Sequence, residues 1–136
     1  MLGAQICTYS DYVVNKFGMK KRVKGRTLGR TGAQRRALLV GITESLFTHG
    51  RIKTTEARAK EARRVADRAI TTGKKGTVAA RRQLARSFTP KTVKTIVDEV
   101  APRFKDRPGG YTRIIKIAPR AGDRAKLAYL ELVEKE

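Results

Sequence analysis

Between residues 19 and 36 the chain carries eight cationic side chains, Lys20, Lys21, Arg22, Lys24, Arg26, Arg30, Arg35 and Arg36, and no acid. Cations at this density suit one chemistry above others. Each Lys or Arg that neutralises a nucleic-acid phosphate releases condensed counterions, so binding is driven by the salt it expels. Gly25, Gly29 and Gly32 punctuate the stretch and keep its backbone permissive, which lets the long side chains reach separate phosphates. A glycine-rich nucleotide loop is the rival reading, and it fails on context. No hydrophobic strand precedes the segment, no Gly-Lys-Ser/Thr closes it, and the glycine spacing fits neither the dinucleotide nor the Walker pattern. The bland alternative is a solvated basic tail.

Arginine supplies most of the further candidates. Arg103, Arg107, Arg113, Arg120 and Arg124 carry planar forks that bind phosphate bidentately and stack on bases, which favours a structured RNA surface. Tyr111, beside Gly109-Gly110, is a candidate for stacking on a flipped base; its alternative is a tyrosine of a core strand. With four Tyr, four Phe and no Trp, a platform that stacks successive bases is not expected. Lys60, Arg64 and Arg68 form one helical column that can face phosphate or plain solvent.

Catalysis finds no comparable footing. The acids are interleaved with Lys and Arg at helical spacing or gathered at the C-terminus as Glu131, Glu134 and Glu136, where a solvated edge explains them. Single residues Cys7 and His49 exclude an intrachain disulfide and the usual zinc sets, and a reducing compartment is expected. His49, in Thr48-His49-Gly50, suits a helix C-terminus before a glycine cap. No catalytic residue, metal, cofactor or small-molecule substrate is therefore predicted.

The whole composition agrees with the local signal. Across 136 residues, 32 Lys and Arg against 12 Asp and Glu leave +20, so a polyanionic partner is expected. No stretch approaches the ~18 apolar residues of a membrane span. A peripheral membrane helix would want large apolar anchors, whereas the basic segments hold Gly, Ala and Thr. Residues 1–18 carry one Asp and one Lys, and the composition breaks at Met19. They are read as an appended tail with neither signal nor transit character, ahead of a single domain at 19–136 whose first part, 19–36, is a basic arm.

Apolar spacing then places the elements. Thr31 with Gln34 fits a capping box opening a helix at about 32–48, with Leu38, Ile42 and Leu46 on its stripe and Gly50 at its end. Arg51-Ile52-Lys53-Thr54 is a short extended candidate. Thr54 or Thr55 caps a second helix with Ala62, Val65, Ala66, Ala69 and Ile70 inward, and Glu56–Lys60 and Arg63–Asp67 are placed to pair on its surface. A basic loop Gly73–Gly76 leads to a short helix at 78–87. Thr89-Pro90 opens a fourth, with Val93, Ile96, Val97 and Val100 buried and Pro102 as its stop. Tyr111–Ala118 and Leu127–Val133 read as a β-hairpin. The predicted class is α+β: a two-layer arrangement in the order α-β-α-α-α-β-β, with helices on one face of a small antiparallel or mixed sheet.

Certain segments in order carry a resemblance: Met19-Lys20-Lys21-Arg22, Gly25-Arg26-Thr27-Leu28-Gly29-Arg30, Arg35-Arg36-Ala37-Leu38-Leu39, Ile52-Lys53-Thr54-Thr55, Ala59-Lys60-Glu61, Pro102-Arg103-Phe104, Gly109-Gly110-Tyr111-Thr112-Arg113-Ile114 and Arg120-Ala121-Gly122-Asp123. Over 19–136 the chain resembles the bacterial large-subunit ribosomal protein seventeen family. That resemblance implies the same two-layer fold, large-subunit rRNA and neighbouring ribosomal proteins as partners, and a cytoplasmic place in the ribosome near the rim of the peptide exit tunnel. It also implies rRNA contact by the arm Lys20–Arg36, by Arg51 and Lys53, and by the loop before Tyr111. Many members begin Met-Arg-His where this chain has Met19-Lys20-Lys21, which keeps charge and loses an imidazole. The competing class is a nucleoid-type DNA-binding or RNA-chaperone protein; no clear helix-turn-helix pair supports it.

Overall fold

In the computed structural model, residues 25–133 are described. The tail 1–18 with Cys7, the cations Lys20, Lys21, Arg22 and Lys24, and Glu134 and Glu136 lie outside them. Helix α1 (Gly32–His49) begins where its residue types set it. Thr31 is extended, its carbonyl accepts from the Arg35 N–H at 2.9 Å, and Gln34 Oε1 accepts from the Thr31 N–H at 3.4 Å. At the other end Gly50 takes φ 71° and returns its N–H to the Leu46 carbonyl at 2.8 Å. A side chain there would be strained, and the reversal lets strand β1 (Arg51–Thr55) follow at once.

Helix α2 (Glu56–Gly73) has a buried face of small residues, Ala59, Ala62, Ala66 and Ala69 with Ile70, so its neighbours approach closely. The closest approach is at Gly73, where an added Cβ would stand 2.8 Å from Ile96 Cγ2. Helix α3 (Val78–Ala85) is capped by Thr77, whose Oγ1 accepts from the Ala80 N–H at 3.2 Å. Helix α4 (Pro90–Lys94) starts after Thr89, whose N–H donates to Glu44 Oε1 at 2.9 Å and so ties it to α1.

Pro102 does not stop this fourth helical run. Over Thr95–Val100 the winding opens to a π-helical turn, the Ala101 N–H bonds the Ile96 carbonyl five residues back, and helix α5 (Ala101–Arg103) contains the proline. In regular α winding an interior proline ring strikes the carbonyl four residues earlier; the wider turn moves that carbonyl aside. The inward stripe is as the spacing predicts, with Val93, Ile96, Val97 and Val100 buried.

Strands β2 (Thr112–Ile117) and β3 (Leu127–Leu132) form the hairpin, and β1 joins it to give a three-stranded antiparallel sheet in the order β1-β3-β2. Ile52, Leu130 and Ile114 are in register and face the helices, where Leu130 and Ala128 are fully buried. They join a core with Leu46, Ile70 and Ile96, in which Phe47 and Phe88 meet edge to face at 6.3 Å. Alternation sends Arg51, Lys53, Arg113, Ile115, Tyr129 and Glu131 to the other face. No helix covers that face among the described residues.

Candidate nucleic-acid interface

Three predicted cations meet on the outer sheet face because of strand register. Arg51 of β1 and Arg113 of β2 both pair with Glu131 of the central strand. Arg51 Nε lies 3.3 Å from Glu131 Oε2, while Arg113 gives Nε and Nη2 to Oε1, each at 2.7 Å. Glu131 is only 12% exposed, against 53% for Arg51 and 61% for Arg113. The expectation of a solvated acid at this position is therefore corrected: two guanidinium groups close over it from neighbouring strands. Two residues along, Lys53 stands in register with Tyr129, and the Arg51 Cζ sits 3.9 Å from the Tyr129 ring centroid. Arg51 is held by its edge on a carboxylate and by its face on an aromatic ring.

A second acid collects cations at the start of α2. Glu56 Oε1 lies 2.7 Å from Lys60 Nζ and 3.8 Å from Lys116 Nζ. The hydrogen bond from Lys60 holds its carboxyl below the ordinary value of 4.5; desolvation works against this, and the charges of Lys60, Lys116 and Lys126 add to it. Arg26, the first arm cation among the described residues, lines the same shallow recess with Lys60 and Lys126. Thus Arg26 of the arm, the α2 N-terminus and the end of the hairpin share one positive surface.

The other candidates lie apart. Arg30 folds back with Nη1 on the Leu28 carbonyl at 3.1 Å, and Arg35 and Arg36 follow in the first turns of α1. Arg36 stands with Arg68 and Arg86 around a groove of about 890 Å³ between α1, α2 and α3. Arg120 pairs with Asp123 at 3.3 Å, and Asp123 also accepts from the Ala125 N–H at 3.0 Å, so this pair shapes the hairpin turn. Arg103 and Arg107 flank the end of α5, where Lys74 Nζ donates to the Arg107 carbonyl at 2.6 Å.

Tyr111 is the correction within this set. It is 1% exposed, its ring lies edge-on to Phe104 at 5.3 Å, and Lys74 Nζ stands 5.3 Å from its centroid. No face is free for a base, so its core alternative is the one the fold adopts. Apolar packing against Phe104 outweighs exposure at the loop. Sequence reading missed Tyr129 and Glu131. Period-two alternation from Leu130 would have put both on the face opposite the core; nothing in the one-dimensional pattern brings Arg51 to them.

Among the described residues no group of three or more Cys, His, Asp and Glu is placed to hold a metal, and no helix is long and apolar enough to cross a membrane. A family model described as Ribosomal protein L17 matches residues 38–133. The chain is 50% identical over 117 residues to the large ribosomal subunit protein bL17 of Chlorobium luteolum, covering 85% of this chain and 68% of that one. With its counterpart in Thermoanaerobacter sp. strain X514 it shares 52% identity over 109 residues, covering 79% and 97%. The similarity to the Halothermothrix orenii protein is 48% over 111 residues, covering 81% and 97%.

Proposed function

This chain belongs to the bacterial ribosomal protein L17 family and so is a structural, non-catalytic component of the large subunit of cytoplasmic ribosomes; on that premise we propose that it binds large-subunit rRNA through its surplus of cations. The observation that carries this reading is how charge is divided. Glu56, Glu61, Asp67, Asp98, Asp123 and Glu131 each engage a Lys or Arg. The surplus of +20 therefore resides in side chains such as Arg26, Arg36, Lys53, Arg68, Arg86 and Arg103, which have no acidic partner among the described residues. Repulsion among them is relieved when phosphates arrive, and the protein in turn fixes how RNA helices pack.

In this reading 19–136 is one rRNA-binding domain with residues 1–18 appended to it. Lys20, Lys21, Arg22, Lys24, Arg26, Arg30, Arg35 and Arg36 form its arm contact, and Arg51, Lys53, Arg103, Arg107, Arg113 and Arg120 its contacts from the folded body. Its place, by family resemblance, is on the solvent side of the subunit near the peptide exit tunnel rim, against neighbouring ribosomal proteins. The test is incorporation. Reversing Arg26 and Arg30 to Glu together should lower recovery in large subunits on a salt-washed sucrose gradient severalfold, while Lys135→Glu should leave it near that of the unaltered chain. Equal incorporation of the two would overturn the arm assignment, and migration with the nucleoid would move the function to DNA.

A further inference from the structure

Within the rRNA-binding reading, on which this inference rests, we propose that the outer sheet face is a subsite for one unpaired RNA base, which stacks on the Arg51 guanidinium. Three observations converge on that side chain. Its Cζ lies over the Tyr129 ring, 3.9 Å from the centroid, and its Nε forms an ion pair with Glu131 at 3.3 Å, so the guanidinium is held on the ring by two contacts. Arg113 fixes Glu131 from the opposite strand with two contacts of 2.7 Å, so the anchor is itself fixed. Yet the Arg51 side chain, with its Cζ over the ring, remains 53% exposed.

A guanidinium used only for phosphate has no need of such a mount. Phosphate is met through the N–H edge, and here the Nε part of that edge already faces a carboxylate; what this arrangement leaves available is the Nη donors together with a flat, weakly hydrated cationic face. Unpaired RNA bases stack on such planes as well as on aromatic rings. The surroundings suit a single nucleotide. Lys53, beside Tyr129 in register and with no acidic partner among the described residues, is placed for a flanking phosphate, and Ile115, 36% exposed across the central strand, gives apolar support for a ribose. A paired helix offers no free base face to this site, so the subsite selects a bulge, loop or strand end.

The experiment uses the full chain and two single strands of equal phosphate number, an adenylate hexamer and an abasic ribose-phosphate hexamer, together with intact large-subunit rRNA. The unaltered chain should bind the adenylate strand at least about fivefold more tightly than the abasic one, the low end of what one stacked base contributes. Arg51→Lys keeps the charge and removes the plane, so it should abolish that preference while the salt dependence of binding is unchanged. Tyr129→Leu, checked for folding by its thermal transition, should reduce the preference by letting the guanidinium tilt. In the unaltered chain the Arg51 side-chain proton resonances should move upfield with the adenylate strand only. Equal binding of the two strands, or a preference that survives Arg51→Lys, overturns the subsite while rRNA binding stands. Failure to bind any of the three RNAs at low salt overturns the rRNA reading itself.

Discussion

Two acids each gather cations around them, and they do so by different means. Glu131 sits in the middle strand of a sheet, is nearly covered, and is gripped by two arginine forks from the strands on either side. Glu56, covered to a similar degree, sits at the start of a helix, where Lys60 reaches it from one turn on and Lys116 from farther off. Arginine offers fixed donors and a plane, whereas lysine offers a hydrated point charge on a flexible stem. The difference teaches that equal charge does not make equal sites: the sheet cluster defines a shape, and the helix cluster defines a potential.

The comparison can be broken most severely from below. Leu130 is fully buried directly between Ile52 and Ile114 and holds the strand that presents Glu131. Leu130→Ala should cost about 2–5 kcal/mol in urea unfolding. A loss under about 1 kcal/mol would mean that the sheet cluster does not depend on that floor. Next comes the anion itself. Glu131→Gln leaves Arg51 and Arg113 facing each other across one strand, and after discounting for their exposure the expected loss is about 1 kcal/mol. Glu56→Gln should shift the unfolding midpoint by less, because Glu56 has one short contact, from Lys60, and a second cation only at 3.8 Å, where Glu131 has two arginine forks. Equal shifts would erase the distinction.

The smallest effect is one of pH. Because the folded-state pKa of Glu56 is lowered, its contribution is fully present above the ordinary value of 4.5 and is lost as pH falls through the lower folded value. Carboxyl-carbon NMR should therefore find its midpoint below 4.5, moving upward in Lys60→Met. A midpoint at or above 4.5 in the unaltered chain would contradict the pairing seen here.

Much of the fold is legible because it rests on local rules. Thr31, Gln34 and Gly50 bound α1 as their residue types require, Thr55 and Thr89 open the next helices, and the β-branched run at Thr112–Ile117 is a strand. What is not legible comes from distance along the chain. That β3 lies between β1 and β2 depends on pairing Arg51 with Glu131 far downstream, so the sequence shows the cations of the site and hides its anion. Tyr111 is ambiguous for a related reason: beside two glycines it looks exposed, and only the packing of Phe104 buries it. Pro102 misleads because a π-helical turn has no simple composition signal.

The strand order also sets a timetable. A ribosome makes β1 first and β3 last, yet β3 is the strand with which both others pair. The helical layer can begin to pack during translation, since its contacts are mostly local. Until residue 132 has left the tunnel, however, β1 and β2 have no backbone partner between them, and Arg51 and Arg113 have no carboxylate to share. The outer face thus comes into being only once β3 has emerged, so a product truncated before that strand would carry much of the charge of this protein without the shape that directs it.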